Sequence, residues 1–258
     1  MSNYQHPQRP QYSHYPHYPN QPRPSFASSP YAGRPGGGLQ PVSQRQMGKS
    51  RREKRATGFR FALGYLAVIW VVFIIDSVVP GDWLTVFGLN PLDASALPNI
   101  FTAPLLHADL NHIMANSIPG AIFCFLIGYS GARVFWEVTA FSVLASGIGI
   151  WLFGGVGTNH IGASGLVYGW LAYLVIRGIF NRSGRQIVLG VILGFLYSEL
   201  IWGVLPLTPG VSWQGHLFGA IGGILAGMII TSDDPPELVA RRAQRRAQRP
   251  PTQVPPPF

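Results

Sequence analysis

The chain has 258 residues, 47% of them hydrophobic and only 11% charged, with a formal net charge of +9. That charge does not describe a nucleic-acid surface, because the Lys and Arg residues flank long apolar runs instead of clustering on a soluble domain. The runs between about Phe61 and Ile230 are each long enough to cross roughly 30 Å of hydrocarbon, so the sequence reads as an all-α polytopic membrane protein set in a lipid bilayer.

In chain order, residues 1–48 are rich in Pro, Tyr, Gln, Ser and Gly, a composition that buries no core and is expected to be disordered. Lys49 to Arg60 forms a basic collar. The expected organisation is a disordered tail with its collar over 1–58, a membrane domain over 59–231, and a basic Pro-rich tail, also disordered, over 232–258. No short apolar segment with a small-residue cleavage site precedes the first run, so a cleaved signal peptide is not expected. Cys124 is the single cysteine and has no partner for an intramolecular disulfide.

Six spans are predicted, at roughly 60–79, 110–130, 134–154, 163–180, 186–205 and 214–230. Between the collar and the C-terminal tail the basic residues are Arg133, between spans two and three, and Arg177, Arg182 and Arg185, at the junction of spans four and five. The intervening loops, including the whole 80–106 segment, carry no Lys or Arg. Every basic residue thus falls on one side, which the positive-inside rule makes cytoplasmic. Both termini are expected there, in a cell membrane of bacterial type.

With this topology spans two, four and six all begin at the outer leaflet. His112 and Asn116 sit at the start of span two, Ser164 at the start of span four and His216 at the start of span six. If Arg177 marks the inner interface, Ser164 lies about 20 Å of helix away from it, or roughly 10 Å below the outer interface. His216 comes to a similar depth. A serine hydroxyl becomes a nucleophile when a base takes its proton, and imidazole does this near neutral pH. Ser164 and His216 are therefore the candidate catalytic dyad, with no acidic third member at their level. Tyr168, one turn below the serine, offers a surface on which the imidazole can stack. Oxyanion donors would come from Asn116 and His112, which share a face of span two, and from the backbone N–H of Ser164 at a helix N-terminus. Gly215, Gly219, Gly223 and Gly227 form an i, i+4 stripe on span six, and Gly162, Gly165 and Gly169 give span four small surfaces as well. Such stripes let backbones approach closely enough for short side chains to touch.

Four features in order resemble the rhomboid family of intramembrane serine proteases, in its six-helix bacterial form. They are His107-x4-His112-x3-Asn116, Gly162-x-Ser164-Gly165, Tyr168 four residues after the serine, and His216-x2-Gly219-x3-Gly223. The resemblance covers about residues 60–230. It implies Ser164 as nucleophile, His216 as base, and Asn116 with His112 near the oxyanion, His107 having a supporting place beside them. It also implies cleavage of transmembrane-helix substrates near the outer leaflet with no metal or cofactor. The family's first outer loop often carries a Trp-Arg pair; here Trp83 precedes Leu84 and the loop has no Arg. The alternative function is a non-catalytic rhomboid-like protein that binds or escorts transmembrane helices, which would be expected to lack the serine or the histidine. A zinc hydrolase fits poorly, because His107 and His112 point about 140° apart on a helix and no His-Glu-x-x-His occurs. In span five, Glu199 is expected to hydrogen-bond within the bundle.

Overall fold

The apolar runs fold as helices. The computed structural model describes residues 44–79, 81 and 83–247, and over these the regular structure is helical apart from one antiparallel bridge between Leu89 and His160. The α-helices are α1 (Gln44–Val78), α2 (Leu110–Ser130), α3 (Ala132–Phe153), α4 (Ser164–Phe180), α5 (Gly184–Leu196), α6 (Trp213–Ile229) and α7 (Pro236–Ala247). Ser50–Val78 of α1, α2 and α3 are each long and apolar enough to cross a membrane, and α5 joins them if it is taken together with the 3-10 turn that follows it. The chain is a multi-pass membrane protein built as a helical bundle.

The helices depart from the expected boundaries in three places. α1 begins at Gln44 instead of near residue 60, because the collar is made of Gln, Arg, Lys, Glu and Ala, all good helix formers. The tail expected to be disordered is thus helical from Gln44 onward, while residues 1–43 lie outside the described residues. The C-terminal tail is likewise helical over Pro236–Ala247, with proline and Glu237 in the first turn where both are favoured; residues 248–258 lie outside the described residues. Span five is broken: α5 ends at Leu196, and the 3-10 turn Ser198–Val204 leaves it at 69°. No Gly-Pro signal marks this break, so hydropathy alone reads it as one rod.

α4 and α6 form the centre. Each has 17 residues, about 26 Å of helix, which is short of the roughly 30 Å of hydrocarbon. Their backbones touch through glycine. A Cβ on Gly219 would overlap the Gly165 carbonyl, and one on Gly223 would overlap that of Gly169. The two ends of the stripe meet side chains instead, Ile150 at Gly215 and Ile176 at Gly227. On α3, Ser146 donates to the Gly215 carbonyl at 2.9 Å and packs over Gly165. A buried layer including Phe123, Val138, Trp170 and Tyr173 fills the space toward the C-terminal end of α4.

The loop before α2 is folded as well. Its 3-10 turns bury Ala96, Ile100 and Ala103, together with the bridge residue Leu89, against Val143, Ile150 and Trp151 of α3. From that platform Ala103 accepts from the Gly162 N–H at 2.9 Å, which pins the segment leading into α4.

At the other end, Arg177 is turned into the protein and is not exposed at a lipid surface. It is buried, with 2% of its surface exposed, and its guanidinium bonds Asp233, Asp234 and the Gly227 carbonyl. Two carboxylates placed just after α6 draw the cation inward, since a buried charge must be paired. Glu199 is exposed and makes no hydrogen bond or ion pair among the described residues, because the break after α5 turns it away from the bundle.

Because the Gly223 contact is with main chain, the neighbour has no side chain to swing aside. Gly223→Val is expected to destabilise the bundle by about 1–3 kcal/mol or more, seen as a lower thermal midpoint in detergent, whereas Gly64→Ala, at a position open to its surroundings, should leave the midpoint unchanged.

Candidate active site

Gly162 starts the site. Its φ of +117° is a conformation that L side chains rarely adopt, and it turns the chain so that α4 begins at Ser164. A Cβ there would also stand 2.5 Å from Nε2 of His112, so the bare Cα is what allows that ring to pack against the turn. Ser164 is the first helical residue, leaving its backbone N–H without an intrahelical partner.

His216 Nε2 lies 2.8 Å from Ser164 Oγ, and Nδ1 lies 2.8 Å from the Gly203 carbonyl oxygen. A carbonyl only accepts, so Nδ1 carries the proton and Nε2 offers its lone pair to the serine hydroxyl. This tautomer is the one a general base requires. The imidazole stacks on Tyr168, with ring centroids 4.1 Å apart and planes within 9°. The residue that sequence reasoning missed is therefore Gly203, in the 3-10 turn after the broken fifth span. Its contribution is a main-chain oxygen, which carries no residue-type signal. The glycine itself is legible only afterwards: a Cβ at this position would overlap the Tyr168 hydroxyl and come 3.1 Å from His216 Nδ1.

The pair opens into a cleft of about 560 Å³ whose walls include His112, Asn116, Ala115 and Pro119 of α2. Asp109 caps α2, accepting from the His112 N–H at 2.9 Å. The Ala108 N–H approaches His112 Nδ1 at 3.5 Å, so Nε2 is the nitrogen left to donate. Asn116 is buried and spends one amide hydrogen on the His112 carbonyl at 3.0 Å, which leaves its second for the cleft. α2 continues through Pro119, which cannot donate to the Ala115 carbonyl, and both of these residues face the cleft.

Two further histidines, His107 and His160, lie in the loops beside the cleft. His160 bridges three loops. Its Nε2 donates toward the Gly154 carbonyl at 3.1 Å, and its Nδ1 accepts from Ser212 at 2.8 Å; Ser212 in turn caps α6 by accepting from the Gly215 N–H. The turn before the serine helix is thereby tied to the cap of the histidine helix. Burial lowers the pKa of His160, opposed by its bond to Gly154. His107 is 2% exposed and packs edge-on to His112, at 5.0 Å between centroids. Its ring nitrogens make no hydrogen bond of good geometry among the described residues, although the Leu105 carbonyl lies near. Burial first, and then the His112 ring, push its pKa down from 6.5 to about 4.

The sequence profile of the Rhomboid domain matches residues 95–233, which contain Ser164, His216 and every α2 residue of the cleft. The chain belongs to the rhomboid family. It is 39% identical over 208 residues to an uncharacterized protein of Mycobacterium tuberculosis, covering 78% of this chain and 85% of the relative. A Mycobacterium leprae protein, also uncharacterized, is 37% identical over 193 residues, with coverages of 72% and 76%. At 26% identity over 182 residues, 66% of this chain and 86% of the relative, it is similar to a Bacillus subtilis protein whose name marks it provisionally as a rhomboid protease.

The buried neutral His107 couples stability to pH. Its folded pKa lies below its ordinary value, so unfolding takes up a proton as pH falls. Stability is fully present above 6.5 and lost progressively as pH drops through about 4. Thermal unfolding of the detergent-solubilised rhomboid chain should show that fall, and His107→Phe should flatten it; an identical pH dependence in the two proteins would rule this coupling out.

Proposed function

We propose that this rhomboid protein is an intramembrane serine endopeptidase that cleaves transmembrane-helix substrates with a Ser164–His216 dyad. The observation that carries the reading is the 2.8 Å contact between His216 Nε2 and Ser164 Oγ, with the opposite nitrogen held by the Gly203 carbonyl. Membership of a family that includes a relative named provisionally as a protease supports it.

In the proposed reaction His216 Nε2 takes the hydroxyl proton as Ser164 Oγ adds to the scissile carbonyl. The oxyanion is received by the Ser164 N–H, the free amide hydrogen of Asn116 and His112 Nε2–H, donors that are in place before the substrate arrives. The imidazolium then gives its proton to the leaving amine, the C–N bond breaks and an acyl-serine remains. Water, deprotonated by the same nitrogen, releases the acid and restores the hydroxyl. Gly203 and Tyr168 hold the ring in orientation and tautomer, the service that a carboxylate performs in a triad. No step calls for a metal or cofactor.

The topology we propose has six spans: α1, α2, α3, α4, α5 with its 3-10 turn, and α6. Both termini then face the cytoplasm and the cleft opens toward the outer leaflet of the cell membrane. The short lengths of α4 and α6 support this, since helices of about 26 Å leave the serine and histidine beneath the surface of a roughly 30 Å core. A regular helix shields its carbonyls, so the substrate helix unwinds locally to present one to Ser164.

In vesicles carrying a single-pass substrate, Ser164→Ala and His216→Ala are each expected to abolish the cleavage product. Asn116→Ala should lower kcat by about 10²–10³-fold, the cost typical of one oxyanion donor. Equal product from the wild type and both dyad variants would refute the proposal.

A further inference from the structure

A second polar cavity, of about 600 Å³, opens at the end of the bundle opposite Ser164. Its wall joins elements far apart in sequence: Lys54 of α1, Tyr129 and Ser130 at the end of α2, Arg177 of α4, Ser183 and Arg185 at the start of α5, and Asp233 with Asp234 after α6. Nothing in the proposed proteolysis uses it.

Charge bookkeeping shows what this cavity lacks. Asp233 is bonded by Arg177 and by the Tyr173 hydroxyl at 2.9 Å, while Asp234 is bonded by Arg177 and Arg242. Two carboxylates and two guanidiniums cancel, and they consume one another's hydrogen bonds. Lys54 and Arg185 remain as cations on the same wall, and neither makes an ion pair or hydrogen bond among the described residues. The same is true of the hydroxyls of Tyr129, Ser130 and Ser183. The wall therefore presents two uncompensated positive donors and three free hydroxyls, while its acidic groups are already occupied.

That donor set suits phosphate oxygens, which take charge-assisted hydrogen bonds from ammonium and guanidinium groups. Leu126, Leu174 and Leu189 line the same cavity, beside Gln186 and Ser232, whose side chains already bond Asn181 and Glu137. A free phosphate has no use for these leucines, whereas a phosphate that carries acyl chains does. In the six-span topology proposed above, the cavity sits where the helices end, at the depth of lipid head groups in the leaflet on that side. We propose that it is a binding site for the phosphate group of an anionic phospholipid, with Lys54 and Arg185 as the charged donors. A zwitterionic head group would bring its own cation against both residues and is disfavoured.

The test uses the full chain purified in an uncharged detergent and reads no proteolysis, so it stands or falls independently of the protease reading. Native mass spectrometry would count adducts as phosphatidylglycerol, phosphatidylcholine or inorganic phosphate is added. One saturable phosphatidylglycerol adduct is expected. Lys54→Gln combined with Arg185→Gln should weaken it at least about tenfold, as for loss of hydrogen bonds to charged groups. Lys54→Arg combined with Arg185→Lys should retain it, which separates loss of charge from loss of folding. Arg51→Gln with Arg52→Gln, on the same collar but not lining the cavity, should bind as the wild type does. An unchanged adduct in the neutralised pair, an equal loss in the collar control, or equal occupancy by phosphatidylcholine would each overturn the proposal. Displacement of the lipid by inorganic phosphate at the same concentration would assign the cavity to a soluble anion and overturn the lipid assignment.

Discussion

The backbone contact between α4 and α6 is the constraint on which the rest of the structure depends. Serine and histidine have short side chains, so a hydrogen bond between them across two helices requires the rods to approach more closely than ordinary side chains allow. Gly219 against the Gly165 carbonyl and Gly223 against that of Gly169 supply the approach. Lipid tails offer no hydrophobic drive to squeeze helices together, so the contact must come from packing itself. Ser146 adds a hydrogen bond to the Gly215 carbonyl and ties α3 to the same seam.

Around this seam the loops act as fasteners. The Gly162 N–H is held by Ala103, His160 pairs its backbone with Leu89, and the His160 ring reaches Ser212 at the cap of α6. The starts of the serine helix and of the histidine helix are thus fixed to the same platform on α3. For the proposed reaction the site is preorganised: His216 is already in the tautomer that accepts at Nε2, and His112 and Asn116 stand in the cleft wall.

Much of this was legible in the residues, for physical reasons that can be named. Apolar run length revealed α2 and α3 almost to their ends, and the spacing of glycines on span six announced a close helix contact. The depth argument brought Ser164 and His216 to one level even though Arg177, its reference mark, is buried in an ionic cluster and not at a lipid surface. That burial was not legible because the pairing partners, Asp233 and Asp234, lie more than fifty residues away in a tail that composition describes as solvated. The break after Leu196 was hidden because hydropathy averages over a window and does not sense direction. Gly203 was hidden for a deeper reason: a backbone oxygen is common to every residue, so only the folded chain reveals which one reaches the imidazole.

The proposed dyad depends on main-chain proximity of α4 and α6. Its most direct measurement is the rate at which a fluorophosphonate probe modifies Ser164 in Gly219→Ala, set against the wild type and Gly64→Ala and normalised to folded protein. The added methyl would press on the Gly165 carbonyl, one residue from Ser164, so labelling is expected to slow by about tenfold or more, as for loss of a positioned base, while the Gly64 variant reacts as the wild type does. A folded Gly219→Ala protein that labels at the wild-type rate would contradict the account.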